Sequence, residues 1–232
     1  MKAVILAGGK GTRMRPLTNK MPKVMLPIRG KPIVEHQVDL LKKYGINDIV
    51  MCTGYLGEQI KKHFEDGSKF GVKITYSGEK DPLGTGGAIK NAEKFIDKTF
   101  LLLYGDIMLN MNLEKLLGFH KEQGAKITLV IHETDHPYDS DLITVDESGL
   151  VTKIFHKPNH EPFPSTLSKT SVCIVEPDVL KQMPEGKHDF EKEIIPKFIE
   201  QCSVFGYITD ELVRDIGTIE RMKSLEERAR EF

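Results

Sequence analysis

The sequence predicts an α/β fold, a Rossmann-like and mainly parallel sheet with helices on both faces, and three observations predict it. Short apolar runs recur along the chain, stretches of helical period separate them, and glycine or proline marks the changes between the two. Residues 2–7 form the first run and end at Gly8-Gly9, so they read as a buried strand feeding a glycine-rich turn. Ile33, Val34, Gln37, Val38 and Leu41 then recur at helical spacing, with Pro32 at the first turn and Gly45 as a stop. The alternation continues through strands at 48–52, 72–76, 100–104 and 127–132. Between them lie helices at 57–64, 88–95 and 113–123, the last closed by Gly124. Strands joined by helices are parallel neighbours reached through right-handed crossovers.

Beyond His132 the rhythm changes. Residues 142–146 and 151–156 are strand-like runs separated by Glu147-Ser148-Gly149-Leu150, a hairpin-type turn signal, so a mixed or antiparallel portion begins here. Further short strands are expected at 171–175, 204–208 and 212–215, and helices at 190–201 and 219–230. The Pro-rich stretch 157–164 is flanked by apolar runs and reads as a site loop rather than a linker, so residues 1–232 are expected to form one domain.

Lys and Arg total 33 against 34 Asp and Glu, a formal net charge of -1 over 232 residues. No global positive field therefore draws the chain to nucleic acid or an anionic membrane. Hydrophobic residues make up 39% and charged residues 29%, the composition of a chain that buries an ordinary core. No apolar run approaches the ~18–20 residues of a bilayer span, and Cys52, Cys173 and Cys202 are scattered without paired spacing. The expectation is a protein of the reducing cytoplasm with neither a nucleic-acid nor a membrane partner. The oligomeric state stays open, a homo-oligomer included.

Leu6-Ala7-Gly8-Gly9-Lys10-Gly11-Thr12-Arg13-Met14-Arg15-Pro16-Leu17-Thr18 carries the strongest signal. Three glycines within four positions let backbone N–H groups approach an anion, and cations follow at once. It lacks the Gly-Lys-Ser/Thr order of a P-loop, and Met14 stands where a dinucleotide fingerprint needs glycine or alanine. A tight strand-to-helix turn with surface lysine and arginine is the plain alternative. The continuation Pro22-Lys23-Val24-Met25-Leu26-Pro27 weighs against it, because a lysine held between prolines is too rigid for a casual surface loop.

At these residues the chain resembles the nucleotide-sugar pyrophosphorylases, the sugar-1-phosphate nucleotidyltransferases. Their hallmark is a Gly-Gly-x-Gly-Thr-Arg-Leu-x-Pro-Leu-Thr loop followed by Pro-Lys-Pro; here Met14 replaces the leucine and Val24 the second proline. The resemblance covers nearly the whole chain and implies the nucleotide-diphospho-sugar transferase fold. Residues 1–132 or so would then bind nucleotide, and the remainder would bind sugar phosphate and supply C-terminal helices. It implies that Leu6, Ala7, Gly8, Gly9, Gly11, Thr12 and Arg13 surround the nucleoside triphosphate, and that Arg13 and Lys23 balance charge on the transferring phosphorus.

Phe100-Leu101-Leu102-Leu103-Tyr104-Gly105-Asp106 is an apolar strand ending in glycine and aspartate, which puts Asp106 on the rim where ligands of an open parallel sheet collect. Val213-Arg214-Asp215-Ile216-Gly217-Thr218 repeats the idea. Either aspartate alone reads as a turn or cap residue. The resemblance makes both of them ligands of Mg2+, a hard cation that prefers carboxylate oxygen, with Asp106 also catalytic and Gly105 beside the sugar phosphate. It assigns Glu79, Gly84 and Thr85 to the nucleotide base and its surroundings. A carboxylate at Glu79 accepts only, which leans toward guanine with its adjacent N–H donors.

Lys157-Pro158 matches the family's Glu-Lys-Pro, in which lysine grips the sugar phosphate, but His156 stands for the glutamate. Asp141 and Lys169 fall at two further sugar positions, where the family's Tyr-Gly and Asn-Ala-Gly are replaced. These departures beside a conventional triphosphate half suggest a less common sugar, closest to the guanylyltransferases of mannose 1-phosphate or D-glycero-D-manno-heptose 1-phosphate. UTP- or dTTP-dependent transfer to glucose 1-phosphate, a non-catalytic sensor domain and a retaining glycosyltransferase stand as alternatives. His132/His136 and His156/His160 have zinc-like spacing, yet Pro137 and Pro158 interrupt any helix that would align them.

Overall fold

Both faces of the central strands are apolar, and that decides the layering. A computed structural model describes residues 1–227. Its first half runs β1 (Lys2–Ala7), β2 (Pro27–Ile28), β3 (Lys31–Pro32), α1 (Ile33–Lys43), β4 (Asp48–Thr53), α2 (Gly57–Phe64), β5 (Lys73–Gly78), α3 (Gly84–Asn91), β6 (Phe100–Tyr104), β7 (Ile107–Asn110), α4 (Leu113–Gln123) and β8 (Ile127–Glu133). The second half adds β9 (Leu142–Val145), β10 (Val151–Phe155), β11 (Leu167–Val175), α5 (Asp178–Lys181), α6 (Ile195–Glu200), β12 (Val204–Ile208), β13 (Leu212–Asp215) and α7 (Ile219–Glu227).

β5, β4, β1 and β6 lie side by side and parallel. β11 joins β6 antiparallel, β8 joins β11 antiparallel, and β12 runs parallel to β8. The β9–β10 hairpin hangs on the start of β11. Along β1, Ala3 and Ile5 pack with Val34, Val38, Ile60, Phe64 and Leu116 on one face. Val4 points the other way, toward Ile89, Phe190 and Phe198. Alternate side chains of one strand thus serve two cores, which is why the run is continuously apolar. Phe100 is fully buried, a contribution of roughly 2–3 kcal/mol. The chain steps from β1 out to β4 and β5 and returns on the other side of β1 as β6, and a crevice opens beyond the strand ends at such a reversal.

Besides the short elements β2, β3 and α5, which the sequence does not suggest, four details differ from the sequence expectation. The helix expected at 88–95 starts at Gly84 and stops at Asn91, followed by a 3-10 turn at Glu93–Phe95. Its glycines are poor helix formers, but packing requires them, since a Cβ on Gly86 or Gly87 would lie 2.3 Å from atoms of His188 or Gly186. The helix expected at 190–201 opens as a π turn, Phe190–Ile194, before α6. β11 begins at Leu167, ahead of the expected 171, and its register against β8 slips between Lys169 and Cys173. The expected strand at 212–215 pairs with β7, a strand the sequence did not suggest. Of the helix expected at 219–230, residues 228–230 lie outside the described residues.

Candidate functional site

At the β1/β6 reversal two clefts meet, and Tyr104 and Asp106 line both. The first, of about 690 Å³, is bordered by Leu6, Gly8, Gly9, Lys23, Glu79, Gly84 and Thr85. The second, of about 710 Å³, is bordered by Arg13, Asp141, Lys157, Lys169 and Asp215. Residues spread over two hundred positions are therefore gathered at one rim of the sheet.

The glycine turn is built on its own hydrogen bonds. Gly11 takes a left-handed φ of 58°, and its carbonyl accepts from Met14 N at 2.9 Å and from the Thr18 hydroxyl at 2.8 Å. Met14 anchors the turn from below, fully buried with Leu26, Ile28, Ile33 and Met108. Thr12 and Arg13 then ride a 3-10 turn with exposed side chains. Ala7 is buried and offers only its backbone. Gly11 and Thr12 border neither cleft, and Arg13 borders the second, not the first.

Asp106 sits on a turn that backbone contacts hold tightly. Gly105 N donates to Leu6 O at 2.9 Å, and a Cβ on Gly105 would lie 2.7 Å from Val24 Cγ1 and 3.0 Å from Leu6 O. Gly105 is buried in the turn and lines neither cleft. Gly105→Ala is expected to lower the unfolding free energy by about 1–3 kcal/mol through overpacking; a denaturant midpoint equal to wild type would show that the turn accommodates the methyl. The fully buried Gln37 of α1 straps the same turn, its amide donating to Tyr104 O at 2.9 Å and Ile107 O at 2.7 Å. The Lys23 ammonium forms an ion pair with Asp106 Oδ2, both side chains mostly buried.

Asp215 reaches this place by strand pairing. β13 runs antiparallel to β7 with Asp215 opposite Ile107, and Ile216 N donates to Asp106 O at 3.1 Å. The two aspartates thus occupy neighbouring positions of one ribbon. Arg221 of α7 holds Asp215 with Nη1 at 2.8 Å from Oδ1 and 3.1 Å from Oδ2, and its Nη2 lies 3.2 Å from Asp139 Oδ2. Among the described residues no three His, Cys, Asp or Glu side chains gather into a metal-binding group. Mg2+ does not need one, since it takes one or two carboxylates and completes its shell with phosphate oxygens and water. Two carboxylates neutralised only by movable side-chain cations fit that requirement.

In the first cleft, burial raises the Glu79 carboxyl above its usual range, partly offset by the Leu83 N–H that donates to Oε2 at 3.0 Å. Oε1 carries no hydrogen bond among the described residues and lies close over Gly8 and Gly54. The start of α3 is already satisfied: Gly86 and Gly87 N–H groups donate to His188 O at 3.0 and 3.3 Å, and Thr85 Oγ1 accepts from Phe190 N at 2.9 Å. Gly84 and Thr85 therefore wall the cleft, while the N–H groups of Gly86 and Gly87 are spent on the protein itself.

The β11 irregularity places Lys169, Thr170 and Ser171 on the wall of the second cleft, a use of bulges common beside sites. Lys169 Nζ lies 2.7 Å from Glu191 Oε2 and 3.5 Å from Asp141 Oδ2, its side chain only 5% exposed. Burial alone would lower the Lys169 ammonium, but the two carboxylates raise it above the ordinary lysine range. Burial pushes the Asp141 carboxyl up, and Lys169, the Lys157 N–H at 3.1 Å and His156 together bring it below the usual range. His132 and His136 border the same cleft, and His136 Nδ1 is 2.6 Å from Asp135 Oδ1. Burial, helped by Arg214, keeps His132 below the ordinary histidine range.

Gln37, Tyr104, Glu191 and Arg221 join the site without being legible as site residues in the sequence. Gln37 had a signal, a polar residue inside an apolar helical stripe. Arg221 and Glu191 had none, because each lies on a helix that reads as solvated or mixed.

The family described as nucleotidyl transferase matches residues 2–231. UTP--glucose-1-phosphate uridylyltransferase of Synechocystis sp. is 34% identical over 86% of this chain and 55% of the relative. Mannose-1-phosphate guanylyltransferase of Mycobacterium tuberculosis is 34% identical over 94% of this chain and 61% of the relative. The chain thus spans little more than half the length of these two curated relatives. The crystal structure of HddC from Yersinia pseudotuberculosis is 26% identical with a TM-score of 0.85, covering 98% of this chain and 99% of that one, and HddC has also been solved in complex with GMP-PN.

Proposed function

Because the chain belongs to the nucleotidyl transferase family, we propose that it joins a nucleoside triphosphate to a sugar 1-phosphate, releasing pyrophosphate. The observation that carries this reading is the meeting of two clefts at Asp106, one walled by the glycine turn and Glu79, the other by Arg13, Lys157 and Asp215. A nucleotide in the first and a sugar phosphate in the second would bring an attacking phosphate oxygen onto the α phosphorus. That oxygen forms the new P–O bond, and the bond from the α phosphorus to the β-bridging oxygen breaks. A phosphate dianion needs no general base, so the chain's work is alignment and charge balance. Lys23 and Arg13 supply positive charge near the reacting phosphorus, and Lys157 holds the sugar phosphate. Gln37 and Gly105 keep Asp106 in place. Mg2+, held by Asp106 and Asp215, would neutralise charge on the phosphates. In this reading residues 1–132 contribute the nucleotide side and the later residues the sugar side.

The base is read as guanine and the sugar as manno-configured. Support comes from the acceptor-only Oε1 of Glu79, from the guanylyltransferase relatives and from the HddC complex with GMP-PN. The uridylyltransferase relative at the same identity favours UTP with glucose 1-phosphate as the second reading. Three free thiols and the absence, among the described residues, of any helix long and apolar enough to cross a membrane are consistent with work in the cytoplasm.

A pyrophosphate-release screen of GTP, UTP, dTTP and CTP against mannose, glucose and heptose 1-phosphates tests the reading. GTP with a manno-configured phosphate is expected to give the highest kcat/KM. UTP with glucose 1-phosphate in first place would transfer the assignment to the second reading, and binding without turnover throughout would make the protein a sensor. Glu79→Gln turns one acceptor oxygen into a donor and is expected to shrink the GTP preference roughly ten-fold or more, measured as the ratio of kcat/KM for GTP and UTP.

A further inference from the structure

We propose that Arg221 is the resident counter-ion that a divalent cation displaces from Asp215, and that the released guanidinium then grips the sugar phosphate in the second cleft. The inference rests on the reading above that Asp106 and Asp215 hold the metal. One guanidinium nitrogen, Nη1, straddles both oxygens of Asp215 at 2.8 and 3.1 Å while Nη2 reaches Asp139 Oδ2 at 3.2 Å, so the arginine bridges two carboxylates with charge-assisted contacts. Nothing else among the described residues neutralises Asp215 by an ion pair, so a divalent cation arriving at this carboxylate competes with Arg221 for it. The pair has its own space: a Cβ on Gly217 would lie 2.8 Å from Asp215 Oδ2 and 3.5 Å from Arg221 Nη1.

α7 does not depend on this ion pair for its seat. Leu225, Ile219 and Met222 pack on Met14, Leu26 and Ile28, so the helix stays docked on the glycine turn when the guanidinium moves. Arg221 lines the second cleft together with Arg13 and Lys157 and is one-third exposed, which leaves it room to turn toward a phosphate. Lys23 stands in the same relation to Asp106. Without ligands Lys23 balances Asp106, and Arg221 is shared between Asp215 and the more exposed Asp139. On loading, Asp106 and Asp215 would pass to the divalent ion and the cations to phosphate, so neither metal ligand is left bare, and Asp139, which is exposed, returns to water.

Mn2+ binding to the ligand-free protein, followed by calorimetry, tests this. Competition requires that removing the incumbent tighten the metal. Arg221→Gln is expected to bind Mn2+ roughly five-fold more tightly than wild type, while kcat/KM for the sugar phosphate falls about ten-fold or more. A merely structural arginine gives the opposite sign for the metal, and unchanged or weaker Mn2+ binding overturns the proposal. Arg221→Lys keeps the charge but cannot bridge Asp215 and Asp139 with separate nitrogens; it is expected to tighten Mn2+ about two-fold and decides the matter should the glutamine variant fail to fold, no tightening being the overturning result. Asp215→Asn separates the two levels. Weaker Mn2+ binding there upholds the metal reading and leaves Arg221 to be judged alone, whereas unchanged binding removes both.

Discussion

Asp106→Asn is expected to lower nucleotidyl transfer roughly 10³-fold, near 4 kcal/mol of transition-state stabilisation, while the chain keeps its fold. The substitution holds the shape of the side chain and removes its charge. Gln37 and Leu6 hold the backbone of this turn through Tyr104, Gly105 and Ile107, so the amide occupies the place of the carboxylate. What disappears is the anion that Lys23 faces at the junction of the two clefts. A neutral oxygen is a poor ligand for a hard divalent ion, and the phosphates of both substrates would converge without their shared counter-charge. The pair is mostly buried, so the folding cost is about 1–3 kcal/mol, held down because asparagine still offers the Lys23 ammonium an oxygen to bond. Pyrophosphate release at saturating substrates and thermal unfolding check the two halves together. Turnover within ten-fold of wild type would take Asp106 out of the chemistry.

The sheet strands β1, β4, β5, β6 and β8 and the helices α1, α2 and α4 were legible because each is decided locally, whereas α3 was misplaced and β2, β3 and β7 were not expected. An apolar run such as Phe100 to Tyr104 has nowhere to go but the middle of a sheet, and the stop signals Gly45 and Gly124 both take the positive φ expected of helix ends. The glycine turn was legible for the same reason. The meeting of Asp106 with Asp215 was legible only as likeness, because its physical cause is the β7–β13 ribbon. Ile107–Asn110 is four residues between a strand and a helix, and nothing local tells it to pair with a segment a hundred positions later. The π turn at Phe190–Ile194 was hidden by periodicity, since Phe190 and Ile194 are buried whether the turn is α or π. Lys169 is legible as a site residue through the family likeness, but its partner Glu191 is not, because their contact joins an irregular strand to that same turn.

That contact sets up the largest stability effect. Lys169→Met is expected to destabilise the protein by about 3–5 kcal/mol, because removing one member of a buried ionic cluster leaves the others uncompensated. Methionine fills nearly the same space, so the loss is electrostatic and not a cavity. Asp141 and Glu191 would face each other across an apolar stem, with only His156 and the Lys157 N–H left to Asp141. For a chain of this length the change lowers Tm by roughly 6–20 °C. The pH dependence carries the signature. In wild type the depressed Asp141 carboxyl adds stability above its unfolded value of 3.8, lost as pH falls through the folded value. The raised Lys169 adds stability below 10.5, lost only as pH climbs through its folded value. Wild type therefore keeps the network across the neutral range. Without the ammonium, burial drives Asp141 upward, so the variant recovers part of its deficit on acidification. Thermal unfolding of both proteins at pH 5 and pH 8 should show the smaller Tm gap at pH 5. A gap of less than about 2 °C, or one that widens toward acid, means that the cluster is held by packing rather than by charge.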